Sequence, residues 1–187
     1  PSNPYAATKA SAELLVNSYV NTYDLDCVIT RCTNNYGPRQ FYEKLIPKTI
    51  FLANQNKKIP IYGKGENIRD WIYVNDHCEA VLRVLLDGKK GESYNVSSDN
   101  EIDNLSIVKK ILELLGKSSD LIEFVTDRPG HDLRYSLNSS KIKNSLKWNP
   151  EISFDDGIQN TIDWLINNSR GKDISENILG STPWKKS

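Results

Sequence analysis

A tyrosine and a lysine four residues apart, Tyr5 and Lys9, form the first pattern in this sequence that could do chemistry. Residues at i and i+4 share one face of a helix, so the ammonium would lie beside the phenol. A tyrosine with a pKa of about 10 is a weak base at neutral pH, but a nearby cation stabilises its phenolate. The pair could therefore exchange a proton with a substrate, and Lys9 could also donate hydrogen bonds to a ribose. A solvated helix face is the alternative, because such a pair also arises by chance.

Two asparagines follow a predicted strand, in the place where α/β sheets bind ligands. The amides of Asn34 and Asn35 both donate and accept, as recognition of a sugar hydroxyl, a diphosphate or a nicotinamide carboxamide requires. The alternative is an ordinary turn, since residues 34–38, Asn-Asn-Tyr-Gly-Pro, have turn chemistry.

Several cationic or amide-rich positions could bind phosphate. Guanidinium groups match phosphate oxygens bidentately, which makes Arg69 and Arg128 candidates for a diphosphate clamp. Residues 44–47 open a predicted helix, and free amides at a helix start favour phosphate. Surface ion pairs and plain helix initiation are the alternatives.

A nucleobase could lie against Pro60, Ile61 and Tyr62, with the phenol ring available for stacking, although a buried strand explains them equally. The glycines at 63 and 65 do not form a dinucleotide fingerprint. Ile68 stands where its third glycine should be, and the surroundings predict strand, turn and strand.

The remaining polar candidates have structural alternatives. Asn104 or Asp103 could cap a helix. His131 lies in a polar loop and could contact the nucleotide, whereas His77 is interpreted as structural. Consecutive positions of His, Cys and Glu at 77–79 suit shared metal ligation poorly, so no metal site is predicted.

Helices and strands alternate along the chain, which favours an α/β fold. Asn3 is expected to cap the first helix and Gly116 to close the fourth. Helices are predicted at 4–23, 45–55, 76–86, about 104–115, 140–146 and 154–167. Strands are predicted at 27–31, 59–62, 68–74, 93–96 and 122–126.

Charge and composition argue against several classes of protein. With 24 basic and 24 acidic residues, the chain has no electrostatic case for nucleic acid or an anionic membrane. No stretch is apolar enough to span a membrane, and no signal peptide opens the chain. Three cysteines without CxxC spacing favour a reducing compartment, so a cytoplasmic location is expected.

Taken together, these segments resemble the nucleotide-sugar 4,6-dehydratases of the extended short-chain dehydrogenase/reductase family, over residues 1 to about 168. The segments that carry the resemblance are PYAATKASAE (4–13), TRC with TNNYGP (30–38), EKLIP (43–47), PIYGKG with IRDW (60–71), and DRPGHD with Arg134 and Tyr135 (127–135). The resemblance implies the C-terminal part of a Rossmann-like fold plus a smaller α/β substrate-binding domain. Residues 1–36 would belong to the NAD-binding domain, 37–168 mainly to the sugar-nucleotide domain, and 169–187 to a polar tail.

The resemblance also implies an activity, the conversion of dTDP-glucose to dTDP-4-keto-6-deoxyglucose with NAD as internal redox cofactor. Tyr5 would be the base, Lys9 its electrostatic partner and a ribose ligand, and Asn35 a cofactor contact. The residues implied to bind the dTDP-sugar are Asn34, Lys44, Leu45, Ile46, Pro47, Pro60, Ile61, Tyr62, Arg69, Asn104, Arg128 and His131.

Three expectations complete the sequence-based interpretation. A chain that starts at Pro1, has no methionine and lacks the family's Gly-rich loop is expected to be a fragment that is inactive alone. A homodimer through the helix of Tyr5 and Lys9 is implied by the resemblance. The alternatives are another family member acting on a UDP-sugar, such as an epimerase or decarboxylase, or a non-catalytic nucleotide-sugar-binding or dimerisation module.

Overall fold

The computed structural model describes residues 3–168, so the predicted polar tail at 169–187 lies outside the described residues. The α/β prediction is confirmed. The helices are α1 (Pro4–Tyr23), α2 (Leu45–Asn54), α3 (Val74–Asp87), α4 (Asn104–Leu114), α5 (Ser140–Leu146) and α6 (Phe154–Asn167), with a 3-10 turn at Ser119–Leu121. The strands are β1 (Ile29–Cys32), β2 (Asn34–Tyr36), β3 (Ile59–Tyr62), β4 (Ile68–Tyr73), β5 (Ser93–Val96), β6 (Glu101–Asp103), β7 (Ile122–Val125) and β8 (Arg134–Tyr135).

The strands pair in three groups within the described range. β1 runs parallel to β5, and β3 runs parallel to β7. β4 is the most connected strand, because its second half pairs in parallel with β2 while its first half lies between β6 and β8. β4 therefore connects β2 on one side to β6 and β8 on the other.

Buried apolar side chains form three clusters. One cluster joins α2, α4, α6 and β4, and a second joins α2, α4 and β3; we call these two together the α2–α4 core. The third joins α3, α5, β4 and β5. Ile46, Ile107 and Ile111 of the α2–α4 core are fully buried. Because β4 contributes to the first and the third cluster, it joins the packing of α2, α4 and α6 to that of α3 and α5.

Helix α1 contrasts with the rest, since none of its residues is buried. Its start is capped as predicted, because the Ala6 N–H donates to Asn3 Oδ1 at 2.9 Å. A bidentate ion pair joins it to β1: Arg31 donates from Nε and Nη2 to the Glu13 carboxylate, at 2.8 and 2.5 Å. This pair fixes the position of α1 relative to the end of β1.

Most predicted elements lie within a few residues of those observed, and three differences have clear causes. The predicted turn at 34–36 is wrong, because these residues form β2 against Trp71, Ile72 and Tyr73 of β4. β6 and β8 carry little local pattern and were not predicted; they exist through pairing with β4. Asp103, not Asn104, caps α4, since its Oδ1 accepts the Ser106 N–H at 2.8 Å.

No helix between residues 3 and 168 is both long enough and apolar enough to cross a membrane.

Candidate functional site

A cavity of about 390 Å³ lies where α2, β3, β4 and the loop after β7 come together. Its lining includes every residue predicted for substrate binding except Ile46 and Pro47. The lining residues are Asn34, Gln40, Glu43, Lys44, Leu45, Lys48, Pro60, Ile61, Tyr62, Arg69, Trp71, Asn104, Arg128 and His131. These residues are far apart in the sequence, and the fold brings them to one place.

The two exceptions lie close to this cavity but do not line it. Ile46 is fully buried in the α2–α4 core, where it faces other isoleucines. Pro47 lines a second, more apolar cavity of about 250 Å³ between α2 and the end of α6. Their helical neighbours Lys44, Leu45 and Lys48 are the α2 residues that reach the larger cavity.

The predicted cofactor and catalytic residues also lie outside the cavity. Tyr5 is 74% exposed on α1. Its phenol lies near that of Tyr135, whose pKa is raised by burial and by the nearby Cys32 and Tyr5. Tyr135 in turn donates to the Cys32 carbonyl at 3.1 Å, which places Tyr5 near the carboxyl end of β1. Tyr135 also pairs with Arg69 of the lining, so Tyr5 lies next to a neighbour of the cavity wall without lining it.

Asn35 occupies this same region between α1 and the cavity. Its Nδ2 lies 3.3 Å from both Cys32 Sγ and the Thr33 carbonyl, and its own carbonyl accepts from Gln40 Nε2 at 2.7 Å. Its Oδ1 is buried and has no hydrogen-bond partner among residues 3–168. An amide oxygen left in this way can accept a hydrogen bond from a ligand.

Arg69 is held in the cavity wall by backbone oxygens. It is only 8% exposed, and its two terminal nitrogens donate to the Ile68 carbonyl at 2.7 Å and the Asp132 carbonyl at 2.8 Å. Burial lowers the pKa of its guanidinium, as does the nearby Arg128. A guanidinium has five N–H groups, so donors remain for a ligand after these two bonds are made. Arg69 is therefore a preoriented cation, as a phosphate clamp requires.

The loop after β7 positions Arg128 and His131 through one carboxylate. Asp127 Oδ1 accepts the backbone N–H of Arg128 at 2.8 Å and lies 2.7 Å from His131 Nδ1. Burial alone would raise the pKa of Asp127, but the bonds from His131 and the Arg128 backbone bring it below its usual value. The carboxylate therefore stays charged and holds the loop.

Gly63 and Gly65 have no side chain, which lets the loop after β7 and the start of α4 pack closely against the turn between β3 and β4. Both have positive φ, +58° and +75°. A Cβ on Gly63 would lie 3.1 Å from Asp127 Oδ2, and one on Gly65 would lie 2.8 Å from Ile61 Cγ2. The glycine pair is therefore a tight turn between strands, in agreement with the sequence-based rejection of a dinucleotide fingerprint.

Four lining residues escaped the sequence-based prediction: Gln40, Glu43, Lys48 and Trp71. Trp71 is fixed by a hydrogen bond from Nε1 to the Ile102 carbonyl at 3.3 Å. Glu43 accepts from Lys44 Nζ at 2.9 Å. Lys48 lies one helical turn after Lys44. The i, i+4 spacing on α2 could therefore have predicted that both lysines share a face of the helix.

The cavity combines positive charge with a flat wall. Arg69, Arg128, Lys44 and Lys48 outnumber the single carboxylate Glu43 among its lining groups. Such an excess of cations suits an anion, and the guanidinium groups suit a diphosphate in particular. In the same lining, the ring of Tyr62 can stack on a planar group. Among residues 3–168, no three His, Cys, Asp or Glu side chains are grouped to hold a metal ion.

Comparison with known proteins gives a consistent set of relatives. A family model described as GDP-mannose 4,6 dehydratase matches residues 1–161. A low-salt glycan biosynthesis protein of Haloferax volcanii, Agl12, is 52% identical over 89% of this chain and 53% of its own length. dTDP-glucose 4,6-dehydratase 1 of Escherichia coli K12 is 44% identical over 92% of this chain and 50% of its own length.

Solved structures agree in fold. The crystal structure of dTDP-glucose 4,6-dehydratase from Bacillus anthracis in complex with NAD has a TM-score of 0.86 and 47% identity, covering 90% of this chain and 53% of that one. UDP-glucuronic acid 4-epimerase from Bacillus cereus has a TM-score of 0.84 and 28% identity, covering 89% and 53%. The chain thus spans about half the length of the curated relatives it matches.

Proposed function

The chain belongs to the GDP-mannose 4,6-dehydratase family, and on that premise we propose that it is the sugar-nucleotide-binding part of a nucleotide-sugar 4,6-dehydratase. Its fold is the C-terminal part of a Rossmann-like extended short-chain dehydrogenase/reductase fold. The observation that carries the proposal is the cavity, whose lining joins two guanidinium groups suited to an anion, Arg69 and Arg128, with Tyr62, a ring suited to stacking on a planar group. A nucleoside diphosphate carries both an anionic diphosphate and a planar base.

The substrate of the complete protein is dTDP-glucose, and the product is its 4-keto-6-deoxy derivative. Two considerations support this choice over a UDP-sugar epimerase. Relatives named dTDP-glucose 4,6-dehydratase are 44% and 48% identical to this chain. The UDP-glucuronic acid 4-epimerase, in contrast, is only 28% identical.

Each group in the cavity has a task in binding the dTDP-sugar. Arg69 and Arg128 donate to the diphosphate, together with the free amides at the start of α2, where no side chain caps Leu45 and Ile46. Tyr62 stacks on the base, and Pro60 and Ile61 wall it. Asn34, Asn104 and His131 supply further donors and acceptors. Domain boundaries follow from this assignment, with residues 37–168 mainly forming the sugar-nucleotide domain and 1–36 belonging to the NAD-binding domain.

NAD is the cofactor, and the residues present fit it. The buried Oδ1 of Asn35 has no partner among the described residues, as a contact to a carboxamide requires. Lys9 follows Tyr5 by one helical turn, where its ammonium can reach a ribose hydroxyl and stabilise the phenolate. NAD, when bound, supplies the hydride acceptor and donor of the reaction.

Tyr5 moves the proton. As a phenolate it takes the proton from the sugar 4-hydroxyl while C4 is oxidised, and Lys9 lowers the cost of its negative charge. The later loss of water across C5 and C6 is assigned to groups other than those described. Exposure of Tyr5 leaves the phenol accessible to a substrate that extends out of the cavity.

Two further properties belong to the proposal. A homodimer forms through α1, supported by the exposed apolar side chains Leu14, Leu15 and Tyr19 on that helix. The cytoplasm is the location, supported by free Cys27, Cys32 and Cys78.

A second candidate applies to the isolated chain, which would bind the nucleotide sugar without turning it over. The absence of Tyr5 and Lys9 from the cavity lining favours it.

Tyr5→Phe tests the catalytic role. In the complete protein, supplied with NAD and dTDP-glucose, we expect kcat to fall about 10²–10⁴-fold, the usual contribution of general acid–base catalysis. Tyr23→Phe, on the same helix and with no assigned role, is the matched control and should leave kcat unchanged. A loss below about tenfold would contradict the role of Tyr5, and an epimerised product in place of the 4-keto-6-deoxy sugar would favour the UDP-sugar alternative.

A further inference from the structure

The carboxylate of Glu13 lies within reach of two cations on different elements. Arg31 of β1 donates from Nε to Glu13 Oε1 at 2.8 Å and from Nη2 to Glu13 Oε2 at 2.5 Å, and its Nε also lies 2.9 Å from Oε2. Lys9 precedes Glu13 by four residues on α1, and its charge acts on the same carboxylate. Glu13 could therefore pair with either cation.

Arg31 is the cation that binds this carboxylate, and it occupies both oxygens. A guanidinium fork bonds to a carboxylate through two N–H groups at once, which a lysine ammonium does not match. Arg31 is also held by β5, since its Nη2 donates to Ser93 Oγ at 3.4 Å. Between residues 3 and 168, Glu13 forms its ion pair with Arg31 and none with Lys9. The ammonium of Lys9 is therefore not held by the carboxylate.

Lys9 has two neighbours on its own face of α1. Tyr5 lies one turn before it and Glu13 one turn after it, and residues at this spacing interact on a helix. Because lysine and glutamate attract each other, an unpaired Glu13 carboxylate would draw the ammonium away from Tyr5. A carboxylate bound to a guanidinium attracts it less, since the two opposite charges largely cancel at a distance. The partner of Glu13 therefore decides which neighbour Lys9 can serve.

We infer that Arg31 is a positioning residue for the reaction: by binding Glu13, it keeps the charge of Lys9 available to the phenolate and the ribose. The inference rests on the proposed function, in which Tyr5 is the base and Lys9 its electrostatic partner. Arg31 acts only through Glu13 and is not itself a catalytic residue. The ion pair between α1 and β1 therefore has a second task besides attaching the helix to the strand.

The kinetics of two single variants and their double variant test the inference, in the complete protein supplied with NAD and dTDP-glucose. Arg31→Gln leaves Glu13 free to attract Lys9. Its kcat should therefore be about two- to fivefold lower than that of Glu13→Gln, the size expected for one helical ion pair. Adding Glu13→Gln to Arg31→Gln should raise kcat to the level of Glu13→Gln alone. The KM for dTDP-glucose should change less than about twofold, because neither residue lines the cavity.

Three controls separate this role from a purely structural one. Arg31→Gln and the double variant both lack the ion pair, so amide hydrogen exchange should show the same loosening of α1 in both. A higher kcat in the double variant is then not the result of a better-fixed helix. Arg83→Gln removes an arginine from an exposed ion pair on α3 and should leave kcat unchanged. Raising the salt concentration from about 0.1 M to 1 M should reduce the difference in kcat between Arg31→Gln and Glu13→Gln, because salt screens the attraction between Lys9 and Glu13.

The opposite results would overturn the inference in different ways. Equal kcat values in all three variants would mean that the pair only attaches α1, which overturns the inference alone and leaves the proposed function standing. A double variant no more active than Arg31→Gln would overturn it as well. A loss of kcat below about tenfold in Tyr5→Phe overturns the proposed role of Tyr5 and the inference together.

Discussion

The cavity is backed by Ile107 and Ile111, which are fully buried, whereas α1, which carries Tyr5 and Lys9, has no buried residue at all. The two regions that the proposed reaction needs are thus held in place by different forces. Apolar packing fixes the α2–α4 core and, through it, the cavity wall. A cap at Asn3 and the Glu13–Arg31 ion pair hold α1.

This difference indicates that ligand binding and proton transfer depend on two regions of the chain that are stabilised independently. Close packing of Ile61 and Trp71 in the α2–α4 core fixes β3 and β4, the strands that carry Tyr62 and Arg69, before any ligand arrives. A helix whose apolar side chains are exposed gains little from packing, and its position is set by a few polar contacts. Substitutions in the two regions should therefore have unequal effects.

The largest contrast is expected between two apolar substitutions. Ile111→Ala in the α2–α4 core should lower the free energy of unfolding by about 2–5 kcal/mol, because it leaves a cavity in close-packed surroundings. Leu15→Ala, on α1, should change it by no more than about 0.5 kcal/mol in the monomer, where α1 is exposed. Urea unfolding monitored by circular dichroism measures both. Similar losses at the two positions would show that α1 is packed as tightly as the core.

A smaller effect is expected from cutting the link to α1. Glu13→Gln removes an ion pair whose side chains are partly exposed, so the global free energy of unfolding should fall by about 1 kcal/mol or less. Amide hydrogen exchange should nevertheless speed up across α1 and stay unchanged in α4. Ser18→Ala, on the same helix away from Arg31, serves as control. Uniform acceleration in both helices would contradict the local role of the pair.

The same link makes α1 sensitive to acid. The hydrogen bond from Arg31 holds the pKa of Glu13 below its usual value of 4.5. The stabilisation is therefore fully present above pH 4.5 and is lost as the pH falls through the lowered pKa. Because the intrinsic exchange rate itself falls with falling pH, the protection of α1 relative to that rate is the quantity to follow; it should decrease over this range, and Glu13→Gln should abolish the decrease. Persistence of the decrease in the variant would assign it to another carboxylate.

The sequence predicted α1, β3, β5, α5 and α6 with their observed bounds, because caps, glycines and hydrophobic periodicity are local signals. β2 was interpreted as a turn since asparagine favours turns. Its burial at Tyr36 and its pairing with β4 overrode that preference. Short strands such as β6 and β8 form by pairing with β4, which is distant in the sequence, so the residues around each strand do not predict it.

The candidate site divides in the same way. The cavity gathers most of the residues proposed from motifs, including Asn34, Arg69 and Arg128, and their roles remain proposals. Lys48 was missed because a lysine in a helix normally faces water, and its burial arises only from the packing of α2 on β3. The position of Tyr5 outside the cavity lining could not be predicted from spacing either, since it depends on how α1 meets β1.

One wall residue gives the cavity a signal of its own. The indole of Trp71 forms part of the lining, is almost fully buried and is tethered to the Ile102 carbonyl. Indole fluorescence responds to the polarity and to the π-systems around the ring. Nucleotide binding in the cavity should therefore change the fluorescence emission of Trp71, so binding can be followed without a label. Comparison with Trp71→Phe identifies the part of the emission change that comes from this residue.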